Sequence, residues 1–182
     1  MKTFKKILFG LVMLLALVVI IGLVIPGDMQ LERSTEIKAP VSKVFGLVAD
    51  MKKWPSWSPW HRIDPNMKIT YFGPETGIGS GYSWSSTDKQ VGNGKMTVIG
   101  FDPDSKIDTE MDFMENGTAK ASFFFSPAAG GTKVTWTMNS DMKQGGFPMP
   151  ILGGYFKFMF RGMIEKDYDK GLANLKAEAE KM

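Results

Sequence analysis

The stretch GGFPMPILGGYFKFMFRGMIEKDYDKGLANLKAEAEK, residues 145–181, decides the fold. Apolar residues recur in it every three or four positions, which is the spacing of one face of an α-helix. They are Phe156, Phe160, Ile164, Tyr168, Leu172 and Leu175. We predict a Gly- and Pro-rich loop over residues 145–154, followed by a helix of roughly seven turns. Such a helix needs a sheet against which to bury its apolar face.

The two halves of this helix differ in composition. The front half, residues 155–163, also carries Tyr155, Phe158, Met159 and Met163, so we expect it to contact a ligand. The rear half, residues 165–181, has charged residues on its other face, so we expect it to clamp the sheet. The loop before the helix is apolar, and two interpretations stay open. It dips into lipid and opens a cavity, or it folds back over the sheet edge.

The region before this helix alternates between apolar and polar residues, as β-strands do, with Gly, Pro, Asn and Asp between the runs. We predict strands over residues 31–37, 67–72, 80–86, 94–101, 106–114, 118–126 and 132–139, and a helix that begins near Pro40. The short turns predict antiparallel neighbours. The expected order is therefore one strand, one helix, a Trp-rich corner, six strands and the long helix.

Residues 7–25 contain no polar side chain and follow Lys2, Lys5 and Lys6. As a helix they would be about 28 Å long, which matches the hydrocarbon core of a bilayer. We predict a membrane anchor over residues 1–28 and one domain over residues 29–182, with the positive end in the cytoplasm and the domain outside. The alternative is a cleaved signal peptide, although no typical cleavage site follows Ile25.

Composition excludes several kinds of site. The chain has no cysteine and one histidine, His61, so thiolate and multi-histidine metal sites are excluded. Most of the net charge of +3 comes from the N-terminal lysines, and no basic patch suggests nucleic-acid binding. The run Gly77–Gly81 resembles a phosphate loop, but no helix and no lysine follow it. We predict no metal and no cofactor.

Several motifs resemble the SRPBCC superfamily, in particular its bacterial polyketide cyclase/dehydrase-like branch. They include SWSPW (residues 56–60), VGNG (91–94), GTKVTW (131–136) and KDYDKGLANLK (166–176). The resemblance covers about residues 30–180. It implies an α+β helix-grip fold, in which a curved seven-stranded antiparallel sheet wraps around the long C-terminal helix. The resemblance provides no catalytic motif that can be assigned to individual residues of this sequence.

The resemblance also implies an apolar cavity between the sheet and the helix. The chain has thirteen phenylalanines, five tryptophans and fourteen methionines, and such side chains suit either an adaptable pocket or a filled core. We predict that the cavity is lined by Tyr71, Tyr82, Trp84, Met111, Phe113, Phe123, Trp136, Phe156, Met159 and Phe160. The corner with Trp54, Trp57 and Trp60 either gates this cavity, contacts lipid headgroups or packs against the sheet.

Three functions are compatible with these observations. We favour a non-enzymatic, membrane-tethered carrier of a hydrophobic small molecule, either lipid-like or polyketide-like. The second is a cyclase- or dehydrase-type enzyme, for which Arg33, Tyr82 and His61 are the polar candidates, with a His61–Asp64 couple as one arrangement. The third is an interaction or stress module without a ligand. We assign no catalytic residue, and we interpret Asp108, Glu110 and Asp112 as a solvated strand face.

Overall fold

The computed structural model describes residues 2–181 and consists of one seven-stranded antiparallel sheet with helices on it. The helices are α1 (Lys2–Val24), α2 (Val41–Ala49), α3 (Pro59–Ile63) and α4 (Met149–Ala179). The strands are β1 (Asp28–Ile37), β2 (Lys68–Phe72), β3 (Gly81–Ser85), β4 (Asn93–Asp102), β5 (Lys106–Asp112), β6 (Thr118–Ala128) and β7 (Gly131–Asp141). Short 3₁₀ turns lie at Met51–Ser56 and Met114–Asn116.

The predicted architecture is confirmed. The strands lie in the order β1-β7-β6-β5-β4-β3-β2, so β2 to β7 form a meander and β1 pairs with the last strand. The register of β1 and β7 runs from Asp28 opposite Asp141 to Ile37 opposite Thr132. The start of β1 and the end of β7 therefore lie at the end of the sheet where α1 joins the domain.

One face of the sheet carries the core, because alternate residues of each strand point to that side. In β6 and β7 the buried apolar residues are Ala119, Ala121, Phe123, Phe125, Val134, Trp136 and Met138. The rear half of α4 covers this face with Tyr168, Leu172 and Leu175. The Tyr168 ring stacks on Trp136 with 3.9 Å between centroids, so the rear half of α4 holds the sheet as predicted.

The Trp-rich corner is part of the core. Trp54 and Trp57 are buried, and their indole N–H groups donate to the carbonyls of Val48 and Leu47 at 2.8 and 3.0 Å. Phe123 packs edge-on against both rings. Of the three interpretations of this corner, packing against the sheet is the one that the structure supports for Trp54 and Trp57.

The prediction of a loop over residues 145–154 is wrong for its second half, because α4 begins at Met149. Prolines break helix interiors, but Pro148 lies at the N-cap and Pro150 lies in the first turn, where proline fits. Gly153 and Gly154 lie within the helix, where the absence of a side chain allows neighbouring segments to pack closely against it. A Cβ at Gly153 would lie 2.1 Å from the Met142 carbonyl oxygen, and one at Gly154 would lie 2.6 Å from the Ile25 side chain.

The helix α1 has 23 residues and is almost entirely exposed. It is long and apolar enough to span a bilayer, a property that membrane anchors share with signal sequences. Its C-terminal end contacts the front of α4. Gly22 is its one buried residue. A Cβ at that position would lie 2.3 Å from the Ile151 carbonyl oxygen, so glycine allows this close approach of α4.

Candidate ligand cavity

A cavity of about 250 Å³ lies between the sheet, the Trp-rich corner and the middle of α4. This volume is near the lower end of the roughly 300–1,000 Å³ that is usual for small-molecule sites. Its walls are aromatic and methionine side chains with few polar groups. They are Trp54, Trp60, His61, Met67, Tyr82, Trp84, Gln90, Val91, Met96, Thr109, Met111, Phe113, Ala121, Trp136, Met138, Met163, Ile164, Asp167 and Tyr168.

Two small side chains at the centre of the sheet make room for the cavity. Thr109 of β5 lies opposite Ala121 of β6, and Ala121 lies opposite Met138 of β7. Thr109 and Ala121 both point towards the core and are buried. Longer side chains at these two positions would reach α4, whereas Thr109 and Ala121 leave space beneath it. The small size of these two residues therefore accounts for part of the cavity.

Five of the ten predicted lining residues lie on the cavity wall. They are Tyr82, Trp84, Met111, Phe113 and Trp136. All five come from the strands or from the residue directly after one, where the alternation of strand residues predicted the inward direction. Their role in ligand binding stays a prediction.

The other five lie elsewhere. Phe123 points inward, but Trp54, Trp57 and Trp136 enclose it. Tyr71 belongs to a separate surface cleft beside Gly73 and Pro74. In the front half of α4, Phe156 and Phe160 pack on each other, and Met159 is 67% exposed. The front half of α4 therefore contributes only Met163 and the adjacent Ile164 to the cavity, because α4 crosses the sheet further along its length than the sequence suggested.

Three polar side chains on the cavity wall have no hydrogen-bond partner within residues 2–181. They are His61 through both ring nitrogens, Trp136 through Nε1 and Tyr168 through Oη. Buried polar groups are normally paired, since an unpaired one costs about 1–3 kcal/mol. These orphaned groups are therefore positions at which a bound molecule would gain hydrogen bonds.

All three groups are uncharged at neutral pH. Burial lowers the pKa of His61 from 6.5 to about 4, so its ring is neutral and offers one donor and one acceptor. Burial also raises the pKa of the Tyr168 phenol above its ordinary value, so it stays protonated, and the Trp136 indole is a donor only. Burial likewise raises the pKa of Asp167, against the opposing effect of Lys170. Such a wall suits an apolar molecule with an uncharged oxygen.

The other polar candidates for catalysis do not form a catalytic group in the cavity. Arg33 lies outside it and pairs with Glu165 and Asp169 of α4 at 3.0 and 3.1 Å, so it ties β1 to the helix. The His61–Asp64 couple is not formed, because the Asp64 carboxylate accepts from Ser86 instead. Tyr82 does line the cavity, and burial raises the pKa of its phenol.

The acidic row lies on the opposite face of the sheet. Burial alone would raise the pKa of Asp108, but hydrogen bonds from Lys106 and Ser122 hold it below its ordinary value. Lys106 lies on the same strand and Ser122 on β6, so Asp108 is paired on the outer face of the sheet. The glycine-rich run Gly77–Gly81 forms the turn before β3, where Gly77 and Gly79 have positive φ, so its glycines serve turn geometry.

The lining residues that sequence analysis did not predict include Thr109, Ala121, Asp167 and Tyr168. The available signal for the first two was their size, since a small inward residue in the middle of a strand marks space above the sheet. No comparable signal marks Asp167. It reaches the cavity because it is next to Tyr168, whose ring faces Trp136.

The domain resembles solved structures at low sequence identity. It aligns with the "di-domain ARO/CYC StfQ from the steffimycin biosynthetic pathway" with a TM-score of 0.63 and 13% identity, over 84% of this chain and 51% of that chain. An uncharacterised protein from Rhizobium leguminosarum aligns with a TM-score of 0.60 and 18% identity, over 84% and 95% of the two chains. Ara h 8.0201 aligns with a TM-score of 0.57 and 11% identity, over 84% and 98%. These similarities support the fold.

Among curated proteins, none matches this chain. A family model does match, over residues 28–180, and its description is "Polyketide cyclase / dehydrase and lipid transport". This match covers the sheet, the corner and α4, and it agrees with the motifs that resemble the SRPBCC superfamily. The chain therefore belongs to the polyketide cyclase/dehydrase and lipid transport family and has its helix-grip fold.

Proposed function

We propose that this protein binds an uncharged hydrophobic small molecule in the cavity under α4, without converting it, while α1 holds the domain at a membrane. The observation that carries this proposal is the apolar cavity of about 250 Å³ with the unpaired groups of His61, Trp136 and Tyr168 on its wall. A filled core would have neither the volume nor the unpaired donors, so a module without a ligand is less well supported.

The volume limits the ligand. Cavities of about 150 Å³ hold a benzene-sized molecule, so this one fits a small ring system or the end of a longer chain. The unpaired donors favour a hydroxyl or carbonyl oxygen on that part of the ligand. An anionic group is disfavoured, because the cavity wall provides no cation to pair with a buried anion. The positive N-terminus of α1 supports an orientation in which the domain is extracytoplasmic.

A cyclase or dehydrase is the second candidate, supported by the family description. General acid–base catalysis needs groups that exchange a proton with the substrate and are held by a partner. His61 has no such partner within the described residues 2–181. The residues of the cavity wall therefore fit a carrier better than an enzyme.

Native mass spectrometry of the full chain, extracted with its surrounding lipid, tests this proposal. We expect a co-purifying small molecule in the wild type. In the Ala121→Leu variant the added side chain fills part of the cavity, and we expect occupancy to fall several-fold while the protein stays folded. A wild type that is consistently empty, or a variant that is equally occupied, contradicts the proposal.

The Tyr168→Phe variant tests the polar part of the wall. It keeps the ring that stacks on Trp136 and removes a hydroxyl that is buried and unpaired. We expect the free energy of unfolding of the empty protein to rise by about 1 kcal/mol and ligand affinity to fall by about fivefold. Unchanged affinity would show that the ligand does not use this hydroxyl.

A further inference from the structure

Residues 145–156, which we call the wedge, contain no charged side chain and lie between Lys143 and Lys157. They include the turn before α4 and the first two turns of that helix. Phe147 at the tip is 87% exposed. A long apolar segment of this kind normally packs on a core or contacts another apolar phase. The wedge packs beside α1 through Ile151 and Tyr155, and its glycines approach Ile25, the residue after β7 and the turn after β5.

The two lysines that flank the wedge both bind the C-terminal end of α1. Lys143 Nζ donates to the Leu23 carbonyl at 2.9 Å, and Lys157 Nζ donates to the Pro26 carbonyl at 3.0 Å. Cations are favourable at a helix C-terminus, where carbonyls are unpaired. The two ammonium groups therefore lie at the same level, at the end of the apolar segment of α1.

Between these lysines the wedge follows α1 back towards its middle. Tyr155 Oη donates to the Val18 carbonyl at 2.8 Å, and Ile151 lies against Gly22. Val18 is several residues before Ile25, which corresponds to about 10 Å along the helix axis. If α1 spans a bilayer, the wedge has to lie in the adjacent leaflet.

The start of α4 suits an environment without water. A helix normally leaves its first four N–H groups unpaired, and such groups are costly in lipid. Here Met149 N donates to the Gly146 carbonyl, Ile151 N and Leu152 N donate to the Pro148 carbonyl, and Pro150 has no N–H group. All four first positions are thus free of unpaired donors, although Phe147, Pro148 and Pro150 at this end of the helix are exposed.

We propose that the wedge inserts into the bilayer beside α1, among the acyl chains of the leaflet next to the domain, with Lys143 and Lys157 at the headgroup level. This inference rests on the proposed membrane anchoring by α1. It adds a second membrane contact, which prevents the domain from swinging freely on its linker. Lysines at this level suit the boundary between lipid and water, where long basic side chains extend to the headgroups.

The inserted wedge places the end of the sheet that carries Gln90 on the bilayer side of the domain. The exposed residues of the cavity wall are Gln90 and Met163. Gln90 lies in the β3–β4 turn, at the end of the sheet where β1 and β7 meet α1. The ligand class that fits this arrangement is a bilayer-soluble molecule that enters from the leaflet.

Single-cysteine labels test the insertion, because the chain has no cysteine of its own. The full chain would be reconstituted in phosphatidylcholine–phosphatidylglycerol vesicles, with bimane at Phe147→Cys, Leu14→Cys or Ala129→Cys. Lipids with doxyl groups on their acyl chains quench a fluorophore that lies among those chains. We expect strong quenching at positions 147 and 14 and none at position 129, which is an exposed turn at the opposite end of the sheet.

The labelling results distinguish a failure of the proposed wedge from a failure of the proposed membrane anchor. Quenching at position 14 without quenching at position 147 overturns the wedge and leaves the anchor intact. No quenching at position 14 removes the anchor and the wedge with it, while ligand binding in the cavity is measured separately. If the unlabelled Phe147→Cys variant forms a disulfide-linked dimer, and bimane on the same variant escapes the lipid quencher, a second copy covers the wedge, which would also overturn this inference.

Discussion

At the scale of single residues, His61 is the clearest case of an environment that sets a chemical property. Its ring is 7% exposed, contacts the edge of Tyr82 and has no partner for either nitrogen within residues 2–181. Desolvation therefore lowers its pKa to about 4, and the ring is neutral in the folded protein at pH values where it is partly charged in the unfolded chain.

The pH dependence of stability follows from this difference. Between pH 6.5 and about pH 4, the unfolded chain binds the proton and the folded protein does not, so stability falls as the pH falls through this window. From pH 8 to pH 5 we expect His61 to account for a loss of about 2 kcal/mol. Denaturant unfolding of the wild type and of His61→Gln at both pH values measures this loss of unfolding free energy. Equal losses in the two proteins would contradict its assignment to His61. Since His61 is the only histidine, its imidazole NMR signal gives the pKa directly.

At the scale of elements, two glycines of α4 have opposite roles. A Cβ at Gly171 would lie 2.9 Å from the Trp136 ring and 3.2 Å from Pro59, whereas one at Gly162 would meet no atom within 4 Å. Gly171 thus allows the helix to lie on the sheet, while Gly162 only weakens the helix.

Alanine at each position separates these effects. Gly162→Ala should raise the free energy of unfolding by about 0.5–1 kcal/mol, because alanine favours the helix. Gly171→Ala should lower it by about 1–2 kcal/mol, because rigid neighbours oppose the added methyl group. Thermal or denaturant unfolding measures both, and a stabilised Gly171→Ala variant would show that Trp136 and Pro59 move apart easily.

The contact between α1 and α4 offers a second matched pair. Gly22→Leu would push the Ile151 carbonyl away, while Gly10→Leu adds the same side chain where nothing lies within 4 Å. We expect hydrogen exchange of the amides in residues 149–156 to accelerate by at least tenfold in Gly22→Leu and to stay unchanged in Gly10→Leu. Equal protection in both variants would show that this contact does not hold the front of α4.

At the scale of the whole molecule, the ion pairs of Arg33 join β1 to the rear of α4, and the lysines around the wedge join α1 to its front. The long helix is thus the element to which the sheet and α1 are both fixed. Removing α1 would leave the front of α4 without its packing partner, so we propose that α1 is retained in the mature protein.

We therefore expect the protein isolated from membranes to have the mass of the full chain, 20.2 kDa. Intact-mass spectrometry measures it, and alkaline carbonate extraction provides the control, since a spanning helix resists release whereas a peripheral protein does not. A species that lacks the apolar N-terminal residues would identify them as a signal peptide and would remove the basis of the wedge.

Local sequence patterns alone predict much of this architecture. The alternation of strand residues determined the meander and the inward direction of Tyr82, Trp84, Met111, Phe113 and Trp136, because the two-residue period of a strand assigns each side chain to one face. The helical spacing of Tyr168, Leu172 and Leu175 determined the clamp. The uncharged N-terminal run determined that α1 is long and apolar enough to span a membrane.

Other features depend on which residues meet across large sequence separations, and only the tertiary structure decided them. Phe123 points inward like its neighbours, yet two tryptophans from the corner enclose it, so it is core and not cavity wall. Phe156, Met159 and Phe160 continue the apolar face of α4, but the crossing point of the helix leaves them away from the cavity. The hydrogen bond from Tyr155 to Val18 joins residues 137 positions apart. Such contacts depend on how the elements cross, and a periodic pattern records only which face of an element is apolar, not what that face will meet.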